Sequence, residues 1–459
     1  MKLKQVLPPL LIMPLLLSGC GSGDETLTES DLIEDPVMEL DPVTVTSGGW
    51  ILNTTDEESS NLFESGSSQG ALVNVQSVET ETVDSLEYTV VSATGIANYQ
   101  VTLNQEQIDT LNARPKAATD FLSGVTTAQA GVAFEFGEDI GYNSNNDCVS
   151  TGGDGYWPPG PVCPENLSRT GYFPNTPEPA TEVEASGLGA MGYWVNGTSV
   201  YQWGDGQSYN NQGVWQTLAA VAEVYDVDVC GGHAANGDYH HHFNSTCLGQ
   251  LVNDEGDQHS PVYGYAADGY AIHGPWYGDG VLAKSSWAVR DYDDASSSTG
   301  CGVAGVRDCV LVDEYDVAAG TVSAIDGPST SGEYISLSSN SFTTSAGFFY
   351  EDYYWDATLT ALAGEYLDQH NGHDHDDLGY HYHVTITLDD ANNQLPAFPY
   401  TIGPRFYGKL QDNSILTTEG VNIGGGPGDG GDLRTCGPED APAEGEAPPD
   451  DCVPPEQPQ

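Results

Sequence analysis

The sequence predicts a mainly β protein: two pseudo-symmetric β-rich halves, related as an internal repeat and packed as one large domain, with few short helices. Three observations lead there. Short alternating stretches recur at Tyr88–Ala93, Tyr99–Leu103, Gly131–Phe136, Tyr334–Leu337 and Tyr382–Leu388, the period-two pattern of half-buried strands. The 459 residues include 55 Gly and 27 Pro, so turns are frequent. Finally, one ten-residue segment returns later in the chain without gaps.

That segment is Gly192-Tyr-Trp-Val-Asn196-Gly197-Thr-Ser-Val-Tyr201, which aligns on Gly264-Tyr-Ala-Ala-Asp268-Gly269-Tyr-Ala-Ile-His273. Each hinges on Asn-Gly or Asp-Gly, the signal of a type I′ hairpin, so Asn196 and Asp268 are read first as turn residues. Downstream, Asp228-Val-Cys-Gly-Gly-His233 matches Asp368-Gln-His370-Asn-Gly-His373, and Tyr239-His-His-His242 matches Tyr380-His-Tyr-His383. The halves span about 185–250 and 260–390 and are expected to face one another. Helical periodicity is confined to 104–122, interrupted at Pro115, and 356–368.

The ends differ from the body. Lys2 and Lys4, an apolar run from Val6 to Leu17, and Leu17-Ser-Gly-Cys20 predict a signal peptide over 1–19, too short and proline-broken to span a bilayer. The tetrapeptide resembles the bacterial lipobox, which implies lipidation of Cys20, a membrane partner through that anchor, and an outer-membrane lipoprotein of the bacterial cell envelope. Residues 20–45 read as an acidic tether, 46–125 as a β-rich region, 126–425 as the main domain, and 426–459 as a disordered acidic tail. Beyond Cys20, the remaining eight of nine cysteines suit an oxidising compartment. The simplest of many pairings joins neighbours: Cys148 with Cys163, Cys230 with Cys247, Cys301 with Cys309, and Cys436 with Cys452.

Lys and Arg number 11 against 68 Asp and Glu, a formal charge of −57, which excludes nucleic acid as a partner. The acid excess reads as a solvated, salt-tolerant surface. There is no nucleophile elbow, phosphate loop or HExxH helix. Calcium at Asn253–Asp257 or Asp291–Asp294 is conceivable from oxygen donors, without EF-hand spacing. Tyr156–Gly160 and Tyr353–Trp355 suit core packing better than sugar stacking.

The histidines carry the functional signal. All 11 lie between positions 233 and 383. In an extended strand i and i+2 share a face, so His240 and His242 point together, as do His381 and His383. With His233 and His373 from the glycine loops, each half offers three imidazoles, suited to zinc, copper or non-haem iron, with copper or zinc the expected ion, and leaving a coordination position open. Only four Met residues are present, which disfavours a Cu(I) carrier. Asp228 and Asp368 are candidates either to hold the second ring N–H or to cap the loops. Tyr239 and Tyr380 are the candidate partners at an open position holding water or dioxygen, in a hydrolase or an oxidase. His375 reads as solvated, and His259 and His273 as lying near the second hairpin. One shared six-histidine cluster and two separate sites both fit, and a surface binding or adhesion module with a packed histidine network is the competing function.

Cys230-Gly-Gly-His233 through Tyr239-His-His-His242 and Cys247, Ser260-Pro261, Tyr263–Ala266, Asp268-Gly269, Gly274-Pro275, Asn371-Gly-His373, Tyr380-His-Tyr-His383, and Phe398-Pro-Tyr400 with Ile402-Gly403 resemble the YHYH-domain family of bacterial secreted proteins. The resemblance covers about 126–410. His241 departs from the family's tyrosine, and the family implies a domain rather than a reaction.

Overall fold

Glycines turn the chain where the repeat predicts hairpins, by a different turn. Gly197 donates its N–H to the Trp194 carbonyl and Trp194 its N–H to Thr198; Gly269 bonds likewise to Ala266, and Ala266 to Tyr270. Within these three-residue loops only the glycines take positive φ, 82° and 90°. A type I′ turn needs positive φ at both central residues, so these are type I turns closed by a left-handed glycine. Asn196 and Asp268 accept the N–H two residues on, from Thr198 and Tyr270. The two-residue turn with both φ positive occurs instead at Asn236 and Gly237, 51° and 84°.

The computed structural model describes residues 48–411 except 65–66, 115–116, 144–163, 183, 188, 212–213, 225–226, 313–321, 324–326, 336–340, 376–377 and 390–391, and beyond them 434–435 and 452–453. The expected signal peptide, Cys20 lipidation, tether and most of the tail lie outside the described residues. So do Cys148, Cys163 and Cys436, and with them two of the expected pairings, as well as Tyr156–Gly160.

Eight strands form the central sheet: β1 (Ala190–Trp194), β2 (Ser199–Tyr201), β3 (His233–Ala235), β4 (Asp238–His241), β5 (Val262–Ala266), β6 (Ala271–His273), β7 (Gly372–Asp374) and β8 (Tyr380–His383). Their order is β3-β4-β2-β1-β5-β6-β8-β7. The central pair β1–β5 is antiparallel. Moving outward on either side, an antiparallel hairpin (β1–β2, β5–β6) is followed by a parallel contact (β2–β4, β6–β8) and a second antiparallel hairpin (β4–β3, β8–β7). The halves therefore lie side by side in one sheet rather than facing one another. Both hairpins alternate apolar residues densely enough to be buried on two faces, and β1 is buried throughout.

One hydrophobic core joins Trp50, Val75, Val91 and Tyr99 to Tyr193, Trp194, Ile272 and Tyr382 of the sheet, and to Ile402 and Phe406 beyond it. The region before residue 126 thus packs into the same core as the sheet. Two strands of that region, Val75–Val83 and Leu86–Ala93, form a three-stranded sheet with Arg169–Pro174. A smaller core around Trp215, Tyr292, Phe348 and Phe349 surrounds the Arg307–Asp352 ion pair, 2.7 Å and fully buried. Tyr353 and Trp355 pack against a third cluster with Phe398.

Helices are short. Asn104 caps Gln105–Ala113 through a capping box with Gln107, and Ala117–Asp120 follows the expected interruption. The periodicity over 356–368 yields only Ala357–Thr360, because Ala363 and Gly364 take positive φ, 55° and 64°, which ends the helix. Among the described residues no helix is long and apolar enough to cross a membrane. Disulfides join Cys230 to Cys247 and Cys301 to Cys309.

Candidate metal centres

Cross-strand pairing completes what alternation begins. His233 on β3 pairs with His240 on β4, and His373 on β7 pairs with His381 on β8. His242 and His383 follow two residues on, on the same faces. The sheet order sets the two groups at opposite ends: β4 and β8 are separated by five strand spacings, roughly 24 Å at 4.8 Å each. There are therefore two sites rather than one shared cluster.

At the first site the ligand atoms of His233, His240 and His242 all lie within 4.8 Å of one another. His240 Nδ1 donates to the Asp238 carbonyl at 2.8 Å and His242 Nδ1 to the Gln202 carbonyl. In the neutral rings this leaves both Nε2 atoms as bare acceptors, yet they stand 3.1 Å apart. A carboxylate oxygen of Glu223, which caps the short helix Ala219–Ala222, lies 3.1 Å from His242 Nε2 and 3.4 Å from His233 Nε2. Lone pairs facing lone pairs at these distances repel unless a cation stands between them. Protonation is a poor remedy here: burial, then the neighbouring His233 and His242, push His240 well below the usual imidazole range. Burial raises the Glu223 carboxyl, but His242 and His233 outweigh it and the net shift is downward. Burial and the Glu223 charge hold the nearby Asp205 carboxyl well above its usual range. The Tyr201 ring stacks on His240 at 3.6 Å and donates its hydroxyl to Asp238, which also pairs with buried Arg169 at 2.6 Å.

The second site gathers His259, His373, His381 and His383 within the same 4.8 Å limit. Every Nδ1 faces a main-chain carbonyl: Ser260 at 2.9 Å for His259, Gly364 at 3.3 Å for His373, Gly379 at 2.9 Å for His381 and Gly274 at 2.6 Å for His383. The four Nε2 atoms converge, with His259 and His381 at 3.2 Å. Those of His373 and His383 are buried and find no hydrogen-bond partner among the described residues. Burial, then His375, lowers His373 to about 4. His273 pairs with His383 in register, and its ring lies 4.4 Å from His381. His375 is not simply solvated: it stacks on Tyr277 at 4.6 Å and lies 4.9 Å from His259. His370 sits apart, bonded to the Arg405 carbonyl at 3.0 Å.

Asp228 and Asp368 act as loop caps. Asp228 accepts the N–H groups of Cys230 and Gly232 and the Tyr239 hydroxyl at 2.8 Å; Asp368 accepts those of His370 and Gly372 and the Tyr380 hydroxyl at 3.0 Å. Six of the seven imidazoles in the two groups are oriented by carbonyls instead, which serve the same tautomer-fixing purpose. Tyr239 and Tyr380 alternate with the histidines along β4 and β8 and so face away from the sites; their hydroxyls are committed to these carboxylates, which removes them as partners at an open position. This explains two glycines. A Cβ on Gly232 would stand 2.5 Å from the Tyr239 hydroxyl, and one on Gly372 2.4 Å from that of Tyr380. Gly232→Ala and Gly372→Ala should each destabilise the protein by about 1–3 kcal/mol in denaturant titration, the usual cost of overpacking. Gly278→Ala, where a Cβ meets nothing within 4 Å, is the control.

One link beside the second site has no equivalent beside the first. Tyr382 donates to the buried Asp268 carboxylate at 2.5 Å and accepts the Tyr407 N–H. Its counterpart, His241, is fully buried against Tyr99, Trp194 and Tyr239, with both ring nitrogens unpartnered among the described residues. Asp254 spends its carboxylate on Ser260, Tyr263 and Gly256, and Asp291 on the N–H groups of Asp293 and Asp294. Among the described residues neither acidic stretch forms a group able to hold calcium.

Reading by pattern alone passed over Glu223, His259 and Tyr201. An acid ending the apolar run Ala219–Ala222 was a usable signal for Glu223; the loop that delivers His259 left none.

Comparison with curated proteins and with solved structures gave no match. The model of the YHYH protein family matches residues 170–385, a narrower span than the sequence resemblance and one that includes every histidine of both sites. With Tyr380-His-Tyr-His383 on β8 ordering one site and Tyr239-His-His-His242, on β4 and just beyond it, the other, residues 170–385 form a domain of the YHYH protein family.

Proposed function

We propose that the protein binds a transition metal, copper or zinc, at two separate histidine sites, and does so outside the cytoplasm as a lipid-anchored protein of the outer membrane. The observation that carries the metal reading is the commitment of Nδ1 to main-chain carbonyls in His240 and His242 at the first site and in all four rings at the second, with Nε2 lone pairs converging to 3.1 and 3.2 Å. Buried polar atoms are normally satisfied, and one divalent ion satisfies a whole group at once. Neutral imidazole is the commonest ligand for such ions, and carbonyl-fixed tautomers orient it. A histidine network held only by packing would alternate donors and acceptors, which these rings do not. The lipobox-like Leu17-Ser-Gly-Cys20 and the two disulfides support the envelope location. A metal-dependent oxidase or hydrolase is the enzymatic form of the proposal.

Elemental analysis of the mature, untagged protein, quantified per chain, tests it. Two equivalents of copper or zinc are expected. No stoichiometric metal, and none taken up on reconstitution, would leave the surface binding module with packed histidines as the function.

A further inference from the structure

We infer that the two sites divide their roles: the ion at the second site takes a small anion from solution as an additional ligand, whereas the ion at the first is closed to such ligands. This rests on the metal reading above and goes beyond it, assigning an anionic ligand class to one site alone.

Two features separate the sites. The first is charge. The first site includes the Glu223 carboxylate, 3.1 Å from His242, so a divalent ion there keeps one uncompensated charge. The second consists of four neutral imidazoles and leaves both charges uncompensated. Charge taken out of water demands a counter-charge, and at the second site solution is the source of one.

The second feature is access. His233, His240 and His242 are at most 6% exposed, and the Tyr201 ring lies flat on His240 at 3.6 Å, closing that flank. At the second site His381 and His383 are buried, but His259 and His373 are only half-buried, so one side of the donor set faces solvent.

The surroundings do not separate them further, since the Asp205 carboxyl lies near Glu223 of the first site and the Asp254 carboxyl near His259 of the second. The rings packed around the second site are His273, 4.4 Å from His381, and His375, 4.9 Å from His259. His273 spends its Nδ1–H on the Ser260 carbonyl at 2.8 Å. Zinc-type ions are usually four-coordinate and sometimes expand to five, so the anion would enter as a fifth ligand or in place of one imidazole.

Cobalt(II) reports coordination through its visible spectrum, and azide serves as the small-anion probe. The full mature chain, loaded with cobalt and counted for metal in the same samples, should bind two equivalents and show a saturable spectral change with azide. His240→Ala/His242→Ala should keep one equivalent and the whole azide response. His259→Ala/His383→Ala should keep one equivalent and lose the response. Should that variant not fold, His259→Gln alone should weaken azide binding while the first-site variant leaves it unchanged. Two bound cobalt ions with no azide response, or a response that vanishes with the first-site residues, would overturn the assignment and leave the metal reading intact. Failure to bind cobalt at all would overturn both.

Discussion

His240→Ala/His242→Ala should bind one metal equivalent instead of two and lose the part of the melting-temperature gain that the first-site ion supplies. An ion that binds the native state alone stabilises it by about 2.7 kcal/mol at a free concentration one hundred times its dissociation constant. For a chain of 459 residues that is a rise of roughly 3 °C. The loss should appear in the metal-loaded protein and largely vanish when wild type and variant are compared with chelator. If the histidines merely packed, the variant would melt lower by the same amount under both conditions. The second site should be unaffected, because it lies roughly 24 Å away across five strand spacings.

His241→Phe should flatten the acid limb of the stability curve. Burial, then His233 and His242, lowers the His241 imidazole to about 3, against about 6.5 in an unfolded chain. Between those values the unfolded chain binds a proton that the native protein refuses. Stability therefore falls as pH drops from about 6.5 towards about 3, by about 1.4 kcal/mol per pH unit. Phenylalanine removes this term and the two unpartnered nitrogens with it. Overpacking by the larger ring subtracts about 1–3 kcal/mol at every pH. The stability of the variant minus that of the wild type should consequently rise by about 2 kcal/mol from pH 6.5 to pH 5, whatever its value at neutral pH. Urea titrations of the metal-free proteins at both pH values measure it, and parallel curves would show that the buried ring takes up a proton freely in the native state.

The metal-facing histidines were legible because strand alternation and cross-strand pairing are short-range rules. His240 with His242, and His381 with His383, follow from a period of two; His233 and His373 follow from the tight hairpins that return the chain. Their division into two sites was not legible, since it depends on the strand order β3-β4-β2-β1-β5-β6-β8-β7, and parallel contacts such as β2–β4 leave no local mark. Glu223 and His259 arrive from a helix end and a loop, placed by tertiary packing. The carbonyls that orient the imidazoles were invisible for another reason: any residue supplies one, so composition cannot point to Gly274 or Gln202. Asp228 and Asp368 drew attention instead, yet their place before a glycine loop makes them better caps than orienters.

The outermost strands of the central sheet are β3 and β7, the short strands that carry His233 and His373. An open sheet edge is a template on which another chain can add a strand, and proteins guard against it by keeping edges short or tying them down. An ion held at either site would pin the edge strand to its neighbour through His233 and His240 on one side and His373 and His381 on the other. Metal would then act as a clasp at both margins of the sheet, and its removal would open both margins to self-association, with the acidic surface as the remaining barrier.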